Sequence, residues 1–168
     1  AQRYSVRLDL ENGNQAKEDS REKLLKILEL GHSYFVQNLI KVPEARNYLL
    51  KRGVSSEWIS DLGLGFAPDQ WDGLCDRLSS SGAPVREAIS AGLIRKKTTG
   101  GYYDYFRGRI MIPIRGLNVE LIAFGGRILG EGEPKYLNSP ESEVFKKKNI
   151  LFGLDAAKDS IKKSGSVI

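Results

Sequence analysis

Cationic, aromatic and amide side chains occur together in the stretch Lys135-Tyr136-Leu137-Asn138-Ser139-Pro140. A lysine beside a tyrosine can hold a phosphate while a nucleobase stacks on the aromatic ring. Asn138 could bond a sugar or a base edge, or it could cap a following helix. The combination indicates binding of a nucleotide or a nucleic-acid strand, with helix capping as the structural alternative.

A second candidate is the stretch Gly125-Gly126-Arg127, which follows an apolar run. Two adjacent glycines let the backbone come close to a ligand, and an arginine can form a forked pair with a phosphate. The pattern lacks the further glycines of a P-loop or of a dinucleotide fingerprint. A plain Gly-Gly turn that ends the preceding strand is the alternative.

The net charge of +5 is unevenly distributed, because residues 95–148 contain 11 of the 26 basic side chains and only 6 of the 21 acidic ones. A local basic excess is typical of a surface that binds a polyanion, although it can also be a solvated face without a partner. We expect a groove that follows a phosphate backbone. Besides Arg127 and Lys135, its candidate cations are Arg107, Arg109, Lys146, Lys147 and Lys148.

Residues for metal or nucleophilic chemistry are scarce. One cysteine, Cys75, and one histidine, His32, exclude a disulfide framework and a Cys/His zinc site. The acidic residues of the basic region are scattered and form no close pair that would hold Mg²⁺. No apolar run approaches the roughly 20 residues of a membrane span, so no membrane partner is expected. The sequence predicts polyanion binding without metal chemistry.

The first half of the chain has helical patterning. Apolar residues recur at helical spacing, Pro43 suits a helix start, Gly53 suits a helix end, and Ser55 or Ser56 can cap the helix that follows. The polar segment 1–16 contains a turn signal at Asn12-Gly13-Asn14, and residues 62–68 are predicted to be irregular. Helices are predicted over residues 19–39, 44–52, 71–78 and 85–91.

The second half has strand patterning. Residues 102–114 alternate, which predicts one strand with an apolar face and, on the other side, a cationic face of Arg107, Arg109 and Arg115. A hairpin turn over 115–118 and a buried strand over 119–124 follow. Pro113 favours an edge strand or a bulge. Short helices are predicted over 139–145 and 155–163, so the fold class is α+β, a helical half plus a small, mostly antiparallel sheet.

Several blocks together resemble the bacterial DnaG-type DNA primases, in the order and spacing of that family. The resemblance covers nearly the whole chain, most firmly from about residue 32 onward. The blocks are Phe106-Arg107-Gly108-Arg109-Ile110-Met111-Ile112-Pro113-Ile114-Arg115, Phe124-Gly125-Gly126-Arg127, Lys135-Tyr136-Leu137-Asn138-Ser139-Pro140-Glu141, Phe145 with Lys147, and Leu151-Phe152-Gly153-Leu154.

This resemblance implies an α+β subdomain at the start of the family's RNA polymerase domain. Its basic blocks would line the groove for single-stranded DNA template, RNA:DNA hybrid and incoming NTPs. The implied division is a polar segment 1–16, the subdomain 17–165, and the first residues of a Toprim subdomain at 166–168. The residues that match the family's groove by position are Arg127, Lys135, Tyr136, Asn138 and Lys147, followed by Arg107, Arg109 and Arg46.

The family also implies groups outside this chain. Mg²⁺ or Mn²⁺ would be held by Toprim carboxylates, zinc by an upstream domain, and the replicative helicase by a C-terminal domain. The chain would then be the template- and nucleotide-binding part of a primase in the bacterial cytoplasm or a plastid, inactive alone. Three alternatives stay open: a non-enzymatic single-stranded nucleic-acid-binding module, the same subdomain in a primase–helicase fusion, and a structural domain with a solvated basic face.

Overall fold

The computed structural model describes residues 2–151 and 153–165, and the side chains of these except residues 2–14, 156, 159 and 160. The helices in chain order are α1 (Gln2–Lys41), α2 (Pro43–Lys51), α3 (Ser56–Asp61), α4 (Gly73–Ser80), α5 (Val85–Ser90) and α6 (Leu154–Ser164), with a 3-10 helix over Lys147–Asn149. The strands are β1 (Gly65–Ala67), β2 (Ile94–Lys96), β3 (Tyr102–Asp104), β4 (Arg109–Arg115), β5 (Leu121–Ile128) and β6 (Tyr136–Asn138). Within the described ranges, no helix has the length and hydropathy needed to cross a membrane.

Local signals set the helix boundaries that the sequence predicts. Pro43 is the first residue of α2, where its missing N–H costs no hydrogen bond. Gly53, with φ of 84°, takes the left-handed conformation beyond the end of that helix. The Ser55 hydroxyl accepts a hydrogen bond from the Trp58 N–H at 3.2 Å and caps α3. The predicted caps are therefore confirmed.

The strands form a four-stranded sheet in the order β1-β4-β5-β6 and a separate β2-β3 hairpin, and every pairing is antiparallel. This confirms the predicted α+β class with a small antiparallel sheet. The turn between β4 and β5 contains Val119 in the left-handed region, with φ of 67°. The strand register shifts between Ile114 and Arg115, which is a β-bulge.

One face of the four-stranded sheet is closed by α1. Phe35 of this helix packs edge-to-face against Phe124 of β5, with ring centroids 5.3 Å apart and an interplanar angle of 85°. Leu28 and Met111 belong to the same buried cluster. We call this side, which includes Met111, Phe124 and Gly126, the covered face.

The structure corrects the predicted single strand over 102–114. Gly108, at φ of 60°, separates β3 from β4. Pro113 does not mark an edge strand, because β4 lies inside the sheet. It lies beyond the part of β4 that pairs with β1, which extends only over residues 109–111, so that pairing does not need its absent N–H.

Other differences follow from contacts that are distant in sequence. Residues 65–67 form β1, where a Cβ on Gly65 would lie 2.6 Å from the Phe35 Cβ, so this glycine permits close packing rather than breaking structure. No helix forms over 139–145, because Ser139 continues to bond with Phe124 of β5 through both its N–H and its hydroxyl. The predicted turn at Asn12-Gly13-Asn14 is wrong, since α1 continues through it. Residues 166–168 lie outside the described residues.

Candidate nucleic-acid interface

The side of the sheet opposite α1 carries three of the predicted site residues, Arg127, Tyr136 and Asn138. Paired residues of antiparallel strands share a face, and the register aligns Ile112 with Gly125 and Gly125 with Asn138. The next aligned set on this side is Ile110, Arg127 and Tyr136. We call this side the open face, and its six residues are Ile110, Ile112, Gly125, Arg127, Tyr136 and Asn138.

The open face forms the floor of a trough. It consists of two adjoining cavities of about 660 Å³ and about 350 Å³, which share Ile112 and Tyr136 as lining residues. The larger cavity is bounded by α2 and α3, and the smaller one by the segment around Phe145 and the 3-10 helix. The sheet therefore supplies the floor, and segments on either side of it supply the walls.

Arg127 is the central cation of the trough. Its guanidinium carbon lies 5.2 Å from the Tyr48 ring centroid and 5.8 Å from that of Tyr136, so the guanidinium contacts both rings. Its Nε is buried and has no hydrogen-bond partner among the described residues. A guanidinium held between two rings is suited to binding an anion such as phosphate through its terminal N–H groups.

Tyr136 and Asn138 project from β6 beside Arg127. The Tyr136 side of the trough is accessible, with this residue 62% exposed. A Cβ on Gly125 would lie 3.3 Å from Asn138 Oδ1, so the glycine leaves room for the amide to lie close to the floor. Gly125 and Gly126 are interior residues of β5, which shows that the predicted Gly-Gly turn is wrong.

The lysines occupy different places around the trough. Lys147 lines the smaller cavity, and its backbone N–H donates to Glu141 Oε1 at 3.2 Å. Lys135 is exposed immediately before β6. Lys146 is not among the lining residues, and its Nζ lies 3.8 Å from Glu141 Oε2. No Asp or Glu is among the described residues that line the trough, so its charged lining groups are all cationic.

Arg109 does not belong to the trough, and the predicted cationic face of β4 is wrong. The residue is 5% exposed and lies on the covered face, where it donates to the Pro134 carbonyl at 2.9 Å and to the Gly126 carbonyl at 3.5 Å. Burial, with a smaller contribution from Arg107, lowers the pKa of this guanidinium, which still remains charged at neutral pH. Arg109 joins backbone segments inside the protein.

Two further candidates lie apart from the trough lining. Arg107 stacks on Trp71, with the guanidinium carbon 4.1 Å from the ring centroid, and donates to the Asp104 carbonyl. Arg46 donates to the Ser56 hydroxyl at 3.0 Å and lines a separate small cavity. Neither side chain is brought together with Arg127, Tyr136 and Asn138.

The buried acid of the region is structural. Asp104 accepts hydrogen bonds from the backbone N–H groups of Leu74 at 2.7 Å and Cys75 at 2.9 Å, which caps the first turn of α4. Burial raises the pKa of the Asp104 carboxyl. Burial and the same carboxylate raise the pKa of the Cys75 thiol to about 12, so at neutral pH the thiol is protonated and a poor nucleophile.

Three trough residues were not assigned to the site from the sequence: Tyr48, Arg52 and Trp58, which line the larger cavity. A signal for Tyr48 and Arg52 was available in the block Tyr48-Leu49-Leu50-Lys51-Arg52, which places one aromatic and two basic side chains within five residues. The signal for Trp58 was the residue itself, a large aromatic residue on a short polar helix. Its indole is 63% exposed.

The described residues contain no cluster of side chains that could bind a metal ion. Among the described residues, no three His, Cys, Asp or Glu side chains come close enough to hold a metal ion. His32 accordingly has a structural contact, with its Nε2 2.7 Å from the Gly63 carbonyl oxygen.

Comparisons with known proteins agree with this geometry. Residues 34–158 match the family model described as the DNA primase catalytic core, N-terminal domain. A DNA primase of Deinococcus radiodurans is 38% identical over 162 residues, which cover 96% of this chain and 27% of that protein.

Solved structures are similar at comparable identity. A DnaG primase catalytic domain bound to single-stranded DNA has a TM-score of 0.79 at 38% identity, over 85% of this chain and 47% of that one. The RNA polymerase domain of Mycobacterium tuberculosis DnaG, in complex with double-stranded DNA carrying a 6-nucleotide overhang, has a TM-score of 0.79 at 35% identity, over 85% and 46%. The chain thus spans about a quarter of the full-length relative and just under half of the solved chains.

Proposed function

Because this chain belongs to the family of DNA primase catalytic-core N-terminal domains, we propose that it positions template DNA and nucleotides for the synthesis of RNA primers. The whole reaction would be the transfer of nucleotides to a growing RNA strand in the cytoplasm of a bacterium. The observation that supports this role best is the trough on the open face, whose lining includes Arg52, Arg127 and Lys147 and no carboxylate among the described residues.

Each trough residue has a chemical role in this proposal. Arg127 and Lys147, which line the trough, and Lys135, which is exposed immediately before β6, neutralise phosphates of the template strand, of the RNA:DNA hybrid or of an incoming NTP. Tyr136 offers a ring on which a base stacks, and Asn138 donates and accepts hydrogen bonds at a sugar or base edge. Arg107, Lys146 and Arg46, which lie outside the trough lining, would at most contact nucleic acid that extends beyond it.

Parts of the catalytic cycle belong to segments outside this chain. Mg²⁺ or Mn²⁺ held by Toprim carboxylates would activate the attacking hydroxyl and stabilise the charge on the transferred phosphate. Zinc would belong to an upstream domain and the helicase contact to a C-terminal one. The chain's own residues hold the strand and orient it, which predicts DNA binding without polymerisation by the chain alone.

The test is the salt dependence of single-stranded DNA binding, measured by fluorescence anisotropy with a labelled oligonucleotide. Lys135→Ala and Lys147→Ala should each weaken binding at low salt. Each should reduce the slope of log K against log salt by about 0.7, the value for one single-stranded phosphate contact. Lys26→Ala is the matched control, because Lys26 lies on α1 and pairs with Glu22 at 2.7 Å.

Two outcomes distinguish nucleic-acid binding from a solvated basic face. A smaller slope of log K against log salt in Lys135→Ala and in Lys147→Ala, but not in Lys26→Ala, supports the proposal. An unchanged affinity and slope in the double variant Lys135→Ala/Lys147→Ala contradicts the assignment of the trough and favours a solvated basic face.

A further inference from the structure

Trp58 is an exposed aromatic side chain at the wall of the trough. It lies on α3, is 63% exposed, and lines the larger cavity together with Arg127 and Tyr136. Among the described residues, neither an aromatic ring nor a cation stacks on its indole. With 63% of the residue exposed, much of the indole surface is accessible to a ligand.

The other tryptophan, Trp71, has stacking partners on its indole ring and serves as a comparison. Trp71 is similarly exposed, at 59%, but Arg107 stacks on it at 4.1 Å and the Tyr103 ring lies 5.8 Å away. Tyr48 is also occupied, since Arg52 and Arg127 both lie over its ring, at 5.4 Å and 5.2 Å. In the larger cavity, Trp58 is therefore the ring without such a partner.

The helix that carries Trp58 is anchored on its other sides. Ser55 caps it, and Ser56 accepts a hydrogen bond from Arg46 of α2 at 3.0 Å. Ile59, the next residue, packs against the buried cluster that includes Leu64. A ring on an anchored helix loses little conformational entropy when it binds, which favours stacking on a flat ligand.

We propose that Trp58 is a stacking platform for an unpaired nucleobase of the single strand whose phosphates bind Arg127 and Arg52. The assignment of Trp58 rests on the proposed function and adds to it a preference for single strands over duplexes. The charge of the trough favours a polyanion over an apolar peptide, because its lining includes two arginines and no carboxylate among the described residues. A base in a duplex is stacked on both sides, so the platform selects single strands over duplexes.

The experiment uses the intrinsic fluorescence of the protein, which has two tryptophans. Trp71→Phe makes Trp58 the sole fluorophore. This variant is titrated with an oligothymidylate, with an abasic strand of the same length, and with a duplex. We expect the oligothymidylate to quench the fluorescence and to bind about tenfold more tightly than the abasic strand, as one stacked base would require.

Two variants show whether that preference comes from the ring. Trp58→Ala should lower the ratio of oligothymidylate to abasic affinity to the part that Tyr136 and Asn138 contribute, whereas Trp58→Phe, which keeps an aromatic ring, should retain more of it. An unchanged ratio in Trp58→Ala, or an equal loss of affinity for both strands, overturns the inference. Failure of the proposed function is distinguishable, because then neither strand would bind in a salt-dependent way.

Discussion

The same strands carry buried structural side chains on the covered face and candidate binding side chains on the open face. Arg109 on β4 and Arg127 on β5 lie on neighbouring strands, one residue apart in register, since Ile110 pairs with Arg127. Arg109 points to the covered face, where backbone carbonyls accept its hydrogen bonds. Arg127 points to the open face and keeps a buried Nε without a partner. Position in the strand alternation, rather than residue type, separates the structural arginine from the candidate binding one.

The covered face is closed by side chains that fit closely. The rings of Phe35, Phe106 and Phe124 meet edge-on, with centroid distances between 5.3 and 6.5 Å. On the open face the corresponding positions hold Gly125 and Ile112, with no helix across them. Among the described residues of the four strands, the covered face has no buried side-chain polar atom without a hydrogen-bond partner, whereas the open face has one, the Nε of Arg127.

The largest expected effect concerns the covered side, where Cys75 packs against the buried cluster. With the pKa of its thiol raised to about 12, the thiolate fraction at pH 8 is about a thousandfold lower than for an ordinary cysteine with a pKa of about 8.5. Alkylation in the native protein should be slower by that order than in urea. Its rate should still increase above pH 9, where the denatured thiol has reached its plateau. Equal rates in both states would show that this side is open.

The next largest effect is expected in the free energy of unfolding of variants at Arg109 and Arg127. Arg109→Leu removes the donor to the Pro134 and Gly126 carbonyls and should lower the free energy of unfolding by about 2–3 kcal/mol, measured by urea denaturation. Arg127→Leu should change it by less than about 1 kcal/mol, because lost ring contacts are offset by removal of a buried unpaired N–H.

DNA affinity should show the reverse order. Arg127→Leu is expected to weaken binding of a single strand about tenfold, as the loss of one charged hydrogen bond would. Arg109→Leu should leave the affinity of the folded fraction unchanged. If the two variants lost stability and affinity to the same extent, the distinction between the faces would fail.

A glycine pair tests the same distinction with a single methyl group. In Gly126→Ala the new Cβ would lie 3.0 Å from both Arg109 Cδ and Phe106 Cδ1 on the covered face, so we expect a loss of about 1–2 kcal/mol from overpacking. In Gly125→Ala it would meet only the exposed Asn138 side chain closely, at 3.3 Å, and that side chain can move. A stability change near zero is expected there. Thermal unfolding of both variants under one buffer condition provides the measurement.

The smallest effect concerns the turn that joins the two central strands. Val119 at φ of 67° is β-branched in a conformation that costs such residues about 1–2 kcal/mol. Val119→Gly should therefore raise the free energy of unfolding by about 0.5–1 kcal/mol, after the entropy cost of glycine. Leu117→Gly in the same turn, where φ is not positive, should lower it. Stabilisation by both substitutions, or by neither, would contradict this explanation.

Local chemistry made much of the fold predictable. Pro43, Gly53 and Ser55 act through their own backbone, so they mark helix boundaries without knowledge of the rest of the chain. The candidate residues Arg127, Tyr136 and Asn138 were also predictable, since a basic and aromatic block is visible in the sequence. Whether they contact DNA stays a prediction for the binding experiments.

The wrong predictions share a physical cause. Alternation shows which residues of a strand share a face, but not which face a distant helix covers, and α1 closes the side that holds Arg109. Gly65 and the Gly125-Gly126 pair suggested breaks in regular structure, yet each lies in a strand because a neighbour comes close there. Trp58 was not assigned to the site because its place at the wall of the trough depends on how α3 packs against residues distant in sequence.

The β-bulge at Ile114 and Arg115 and the short turn after it determine which side chains meet the strand that binds. The bulge leaves Ile122 of β5 without a partner on β4, since Ile114 pairs with Ala123 and Arg115 with Leu121. A one-residue change in the turn that moved β5 by one position against β4 would invert its two sides, so that Arg127 would point at α1 and Phe124 away from it. A single insertion or deletion in this turn therefore keeps the orientation of β5 only when the bulge gains or loses an unpaired residue, whereas a change of two residues needs no such compensation.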